Sequence, residues 1–346
     1  MTGRNEMGNR QLRNNTNWNS RRLSLLLSVV AAFFLLTGNG MSADPGVQYP
    51  PDGMASDQKP GSVLFFNVYT SDATSASSQN TKFSITNTSP TRAVAVHLFF
   101  VDGASGSPAD FIFCLTASQT ISFESVELDP NTEGYIVAVA VNSAGAPILH
   151  NHLIGDSYVK FNSGHRAGLG AVAVAAMVPP VTTSATVMAD LNFNGIDYEQ
   201  MPSVLAVDNL PSRINNNDTM VIVNRPGGDM AVGVPEIGFI FGLLYNDTEN
   251  AYSFSVNSSR CQTRINFTST TPRTVPRFTA VVPDGRTGWV KMYGATNIPL
   301  LGSVFNYNSG ASGVPNAFTG GHNLHSLRRT DMTMSIPVYP TKCFGV

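Results

Sequence analysis

The chain has six histidines, the side chains best suited to metal binding or proton transfer near neutral pH. His150 and His152 stand two apart, so on a strand they point to one face. Asp156 and His165 follow shortly after. Three imidazoles and a carboxylate form a ligand set for zinc or copper, which makes His150, His152 and His165 the metal candidates. The plainer reading is preferred: a partly exposed pair hydrogen-bonded to neighbours or water. His322 and His325 stand three apart in Gly320-Gly321-His322-Asn323-Leu324-His325. There a ligand pair competes with a structural loop, and the loop is preferred. His97, on the Ala93/Ala95 face, needs no role.

Other chemistries leave weaker traces. Asp190-Leu191-Asn192-Phe193-Asn194-Gly195 starts like a calcium loop, but Met201 occupies the twelfth position, where a bidentate glutamate belongs. A hairpin turning at Asn194-Gly195 explains the same residues. No G-x-S-x-G elbow, H-E-x-x-H helix or phosphate-binding glycine loop is present, so no catalytic residue and no cofactor are assigned. Asp197 and Glu199 share a strand face, as many exposed acids do. Trp289 and Tyr135 each follow a glycine at a strand start. Exposed, they would stack on sugar rings; the expectation is that both are buried anchors. Of three cysteines, Cys261 and Cys343 are the disulfide candidates because both lie in the second half, and Cys114 reads as a buried small hydrophobe.

The segments that position these residues read as strands almost without interruption. Val63–Phe66, Lys82–Thr86, Val94–Phe100, Ile121–Glu124 and Tyr135–Val141 are apolar or alternating, and Thr88-Ser89-Pro90, Asp102-Gly103 and Asp129-Pro130-Asn131 punctuate them. One helix is expected, over Ala167–Met177, stopping before Val178-Pro179-Pro180. Short words recur in order between the halves: Ser62-Val63-Leu64 with Ser203-Val204-Leu205, Gly134-Tyr135-Ile136 with Gly288-Trp289-Val290, and Asn162-Ser163-Gly164 with Asn308-Ser309-Gly310. The fold expected is therefore all-β, with two tandem, internally related β-sandwich domains over residues 61–180 and 181–346.

Before them, Arg21-Arg22 precede an apolar run from Leu25 to Leu36, followed by Gly38, Gly40, Ser42 and Ala43. That run fits a signal peptide over residues 1–43 and is short for a membrane span of about twenty residues. Ser20-Arg21-Arg22-Leu23 also touches the twin-arginine pattern. Residues 44–60 read as an extended leader, and no later segment is apolar and long enough to be a transmembrane span. Charged residues are 13% of the chain. Residues 1–43 hold five basic residues and one acid, so the remainder carries 21−5 = 16 basic and 23−1 = 22 acidic residues, a net of −6. That balance excludes nucleic acid as a partner.

Taken together, ITNTSPTRAVAVHLFFVDG, GYIVAVAVN, HNHLIGDSYVKFNSGH, GWVKMYG and GGHNLH resemble segments of a group of exported bacterial β-rich proteins of unknown function. The resemblance covers most of the chain after the leader. It implies a bacterial, exported protein and brings no ligand or catalytic residue with it. The first half also resembles immunoglobulin-like modules, a likeness of fold alone. The function expected is an exported, non-catalytic structural or interaction protein of the bacterial cell surface or extracellular matrix, in contact with surface polysaccharide or with itself. A carbohydrate- or metal-binding module is the first alternative, a secreted hydrolase the second. Periplasm, cell surface and extracellular space all remain open as its location.

Overall fold

The computed structural model describes residues 54–180, 187–310 and 319–343. The expected signal peptide lies outside them. Among the described residues, no helix is long and apolar enough to cross a membrane.

The fold is all-β. Strands β1 (Val63–Thr70), β2 (Asn80–Asn87), β3 (Val94–Asp102), β4 (Pro108–Leu115), β5 (Thr120–Glu124), β6 (Glu133–Val141), β7 (Leu153–Lys160), β8 (Arg166–Gly170) and β9 (Val172–Val174) form two sheets. The first has the order β4-β3-β6-β1-β9 and the second β5-β2-β7-β8. From β10 (Met188–Phe193) the chain continues through β11 (Met201–Pro211), β12 (Asn217–Asn224), β13 (Gly228–Asp229), β14 (Gly238–Asn246), β15 (Ala251–Ser258), β16 (Gln262–Phe267), β17 (Thr287–Gly294), β18 (Leu301–Asn308), β19 (Gly320–Asn323), β20 (His325–Thr330) and β21 (Met332–Pro337). These make a third sheet, β10-β21-β13, a fourth, β15-β14-β17-β11-β20, and a fifth, β16-β12-β18-β19. Among the described residues two single-turn α-helices, α1 (Ser125–Leu128) and α2 (Phe278–Val281), interrupt the strands.

Two tandem immunoglobulin-like sandwiches are not what forms. Residues Asp52–Val346 are one compact unit, built of five small sheets in a propeller-like, blade-by-blade array. Successive apolar cores join the blades. Leu191, Phe193, Met332 and Met334 of the third sheet pack on Tyr135, Val137 and Val139 of the first. Leu64, Phe100 and Ile136 of the first meet Phe83 and Ile85 of the second. Val159 and Leu169 of the second, with Phe161 just after β7, meet Met220, Ile222 and Phe305 of the fifth. Val221, Val223 and Phe267 of the fifth meet Val207, Leu244 and Val290 of the fourth. Within a blade the strands do not follow a simple meander; one order of strands serves the first and fourth sheets and another the second and fifth. The recurring sequence words mark that shared order, not tandem domains.

Three further expectations are corrected. Residues 167–177 form no helix: β8 and β9 take up most of the segment to Val174, with Ala167, Leu169 and Ala171 alternating inward. Cys343 is bonded to Cys114, not to Cys261. Cys261 is a free thiol, buried against the backbone oxygens of Asp102 and Gly103 and pushed up to about 12 by burial first and the nearby Asp102 second. Lastly, Asn194 accepts hydrogen bonds from the backbone of Ile196 and Asp197 at 2.8 Å, closing a local turn after which Tyr198 N donates to Asn192 O, but the ladder partner of β10 along its length is β21 and no hairpin strand follows the turn.

Candidate binding face on the fourth sheet

Strand β14 reads Gly238-Phe-Ile-Phe-Gly-Leu-Leu-Tyr-Asn246, apolar on both faces. Ile240 and Leu244 point into the core shared with the fifth sheet. The alternate residues Phe239, Phe241, Leu243 and Tyr245 must point away. On β17 the same outward face carries Trp289, Lys291 and Tyr293, while Val290 and Met292 are buried. The two strands pair antiparallel with Tyr245 opposite Trp289 and Phe241 opposite Tyr293. Aromatic rings therefore meet across the ladder. Tyr245 and Trp289 stack with centroids 4.3 Å apart and planes 7° from parallel, and Phe241 lies 6.1 Å from Tyr293 and 6.5 Å from Phe239. Phe239, Phe241 and Trp289 are exposed by 50%, 39% and 37%, a contiguous aromatic surface of the kind that marks an interaction site.

A polar cleft lies at the Trp289 end. A bulge in β11 sets it: Val207 pairs with Val290 and Leu210 with Gly288, so Asp208 and Asn209 together face the one residue between, Trp289. Asn209 takes φ 44°, a left-handed conformation that asparagine tolerates. Asp208, Asn209, Asn246, Asp247, Thr287, Gly288 and Trp289 line an open cleft of about 390 Å³. Arg286 pairs with Asp247 at 3.0 Å beside it. An exposed indole–phenol stack next to carboxylates and amides can hold a ring by its C–H face while hydrogen-bonding its hydroxyls.

The histidines expected to bind metal do not meet. The His150 and His152 rings lie 5.2 Å apart, but His150 is buried with its Nε2 3.0 Å from Asn87 Oδ1. His165 belongs elsewhere, between Ser163 Oγ at 2.9 Å and the Asp218 backbone oxygen. His97 is also buried, and its Nε2 is shared by Asp110 at 2.9 Å and the Tyr339 hydroxyl at 3.0 Å. Burial holds the imidazoles of His97, His150 and His165 below the ordinary histidine range. Of the two aromatic anchors, Tyr135 is buried as expected and Trp289 is not. The period-two run Phe239, Phe241, Leu243, Tyr245 was the available signal for the outer face, since it makes β14 apolar on both sides.

No family model and no curated protein matches the chain. Among solved structures, tripeptidyl peptidase 2 (TPP II) aligns at 9% identity with a TM-score of 0.18, over 82% of this chain and 25% of that one. A likeness at that level carries no argument about fold or activity.

Proposed function

We propose that this is a non-catalytic interaction protein whose outer fourth-sheet face binds a polysaccharide. The observation that carries the reading is the stacked, part-exposed Tyr245–Trp289 pair beside the cleft of Asp208, Asn209, Asn246 and Asp247. A purely apolar partner would leave those polar groups without hydrogen bonds on desolvation; a sugar polymer satisfies rings and polar groups together. Export to the cell surface or beyond is part of the proposal. The apolar run before residue 43 supports it, as does the Cys114–Cys343 disulfide, a bond that persists in oxidising compartments.

Co-sedimentation with insoluble polysaccharides, and retardation in gels cast with soluble ones, tests the reading. W289A is expected to weaken binding by about 2 kcal/mol, roughly thirtyfold, because a central aromatic anchor is lost. If no polysaccharide is bound, or W289A binds as the parent does, the reading fails. If the parent instead self-associates in light scattering and W289A is monomeric, the same face serves contact between copies.

A further inference from the structure

Asp208 also belongs to a second grouping. His322 on β19 and His325 at the start of β20 bring their Nε2 atoms to 3.0 and 3.5 Å from the same oxygen, Asp208 Oδ1. Their rings lie 5.5 Å apart. The ligating atoms of all three residues fall within 4.8 Å of one another, and no other group of three or more His, Cys, Asp or Glu does so among the described residues.

The loop that carries the histidines is firmly placed. Val304 pairs with His322 across β18 and β19. A Cβ on Gly321 would stand 2.2 Å from the Val304 carbonyl oxygen, so the close approach of β19 needs glycine there. Asn323 donates to Gly170 O and Asp57 Oδ2 and accepts from Asn67 and Ser303. Leu324, between the two histidines in sequence, is buried in the core shared by the fourth and fifth sheets.

Hydrogen-bond logic then fixes the chemistry. His322 Nδ1 lies 2.8 Å from the Asn323 backbone oxygen. A carbonyl only accepts, so Nδ1 carries the hydrogen, and Nε2 is the ring nitrogen presented to Asp208. A single divalent ion placed among them would accept an electron pair from each of the three groups at once. An Nδ1–H bonded to a carbonyl is also how metal-ligating histidines are commonly oriented. Ligands about 2.0–2.1 Å from a tetrahedral zinc stand about 3.3 Å apart, between the two separations observed here.

We propose that Asp208, His322 and His325 bind a divalent transition-metal ion, zinc by their ligand chemistry, with its remaining coordination open to solvent. The claim is independent of the polysaccharide reading, because the metal is titrated with no sugar present.

Isothermal titration of the full chain with zinc tests it, with copper(II) electron paramagnetic resonance as a second readout. One zinc per chain is expected. H325A and D208N should each bind at least about tenfold more weakly, while H152A binds as the parent does. The copper spectrum should show coupling to two imidazole nitrogens in the parent and to one in H325A. Absence of stoichiometric zinc binding, or affinity unchanged in both D208N and H325A, overturns the proposal. The altered side chains are exposed, and unchanged melting temperatures would separate loss of a ligand from loss of the fold.

Discussion

His150 shows how a buried polar side chain is satisfied without serving a ligand. Asn87 donates its side-chain Nδ2 to the carbonyls of Arg92 and Thr116, which leaves its Oδ1 to accept from His150 Nε2–H at 3.0 Å. Burial, followed by the nearby His152 and Arg92, pushes the imidazole down to about 4, against about 6.5 in the unfolded chain. The unfolded state therefore takes up a proton first as pH falls. The stability contributed by neutral His150 is complete above about pH 6.5 and is lost progressively toward pH 4. His97 and His165 are shifted the same way and steepen the decline. Melting temperature is expected to fall between pH 7 and 4.5, and H150Q to start lower but show a shallower slope; a parent curve flat across that window contradicts the account. At this scale the sequence was partly legible. It marked His150, His152 and His165 as a set, but residue spacing along a chain cannot show that Asn87 and Asp218 claim two of them.

Strand β14 separates the two uses of an apolar residue within one element. Leu244 is fully buried in the core with the fifth sheet and Phe241 is 39% exposed. L244A is expected to cost about 2–5 kcal/mol in urea unfolding, and F241S to change stability by about 0.5 kcal/mol or less while weakening polysaccharide binding. Equal stability losses in the two variants would show that the outer face is covered. Gly242 adds a constraint: a Cβ there would stand 2.1 Å from Phe254 Cζ, and that ring is buried. Element type was the most legible feature of the chain, because continuous apolar runs and period-two alternation together located β1, β2, β3, β5 and β6 directly. It failed at 167–177, where alanine-rich composition favoured a helix although Ala167, Leu169 and Ala171 alternate as a strand.

Across the whole molecule, two sheets with the same strand order have opposite fates. The outer face of the first, with Tyr135, Val137 and Val139, is covered by the third sheet. The outer face of the fourth, with Tyr245, Trp289 and Tyr293, has no such cover among the described residues. This is why Tyr135 and Trp289, alike in sequence position, differ in exposure, and no local pattern could distinguish them: the covering strands β10 and β21 lie far apart in the chain, with 332−193 = 139 from the end of one to the start of the other, and the strands of the fourth and fifth sheets lie between them. The Cys114–Cys343 bond closes the same long circuit, with a sequence separation of 229. Such a loop places C343S about 5 kcal/mol below the parent on the chain-entropy model. Chemical denaturation with and without reductant checks this, and identical midpoints would count against it.

The central claim is that Trp289 lies at the centre of a polysaccharide-binding face, and the chain itself supplies the probe. It has two tryptophans, Trp18 and Trp289, so the tryptophan emission of a chain starting at Asp44, excited at a wavelength tyrosine does not absorb, comes from Trp289 alone. Titration with the bound polysaccharide should shift that emission to shorter wavelength and protect it from acrylamide quenching, with a midpoint that matches co-sedimentation. An emission spectrum and quenching constant unchanged at saturating polysaccharide would place the contact elsewhere and contradict the account.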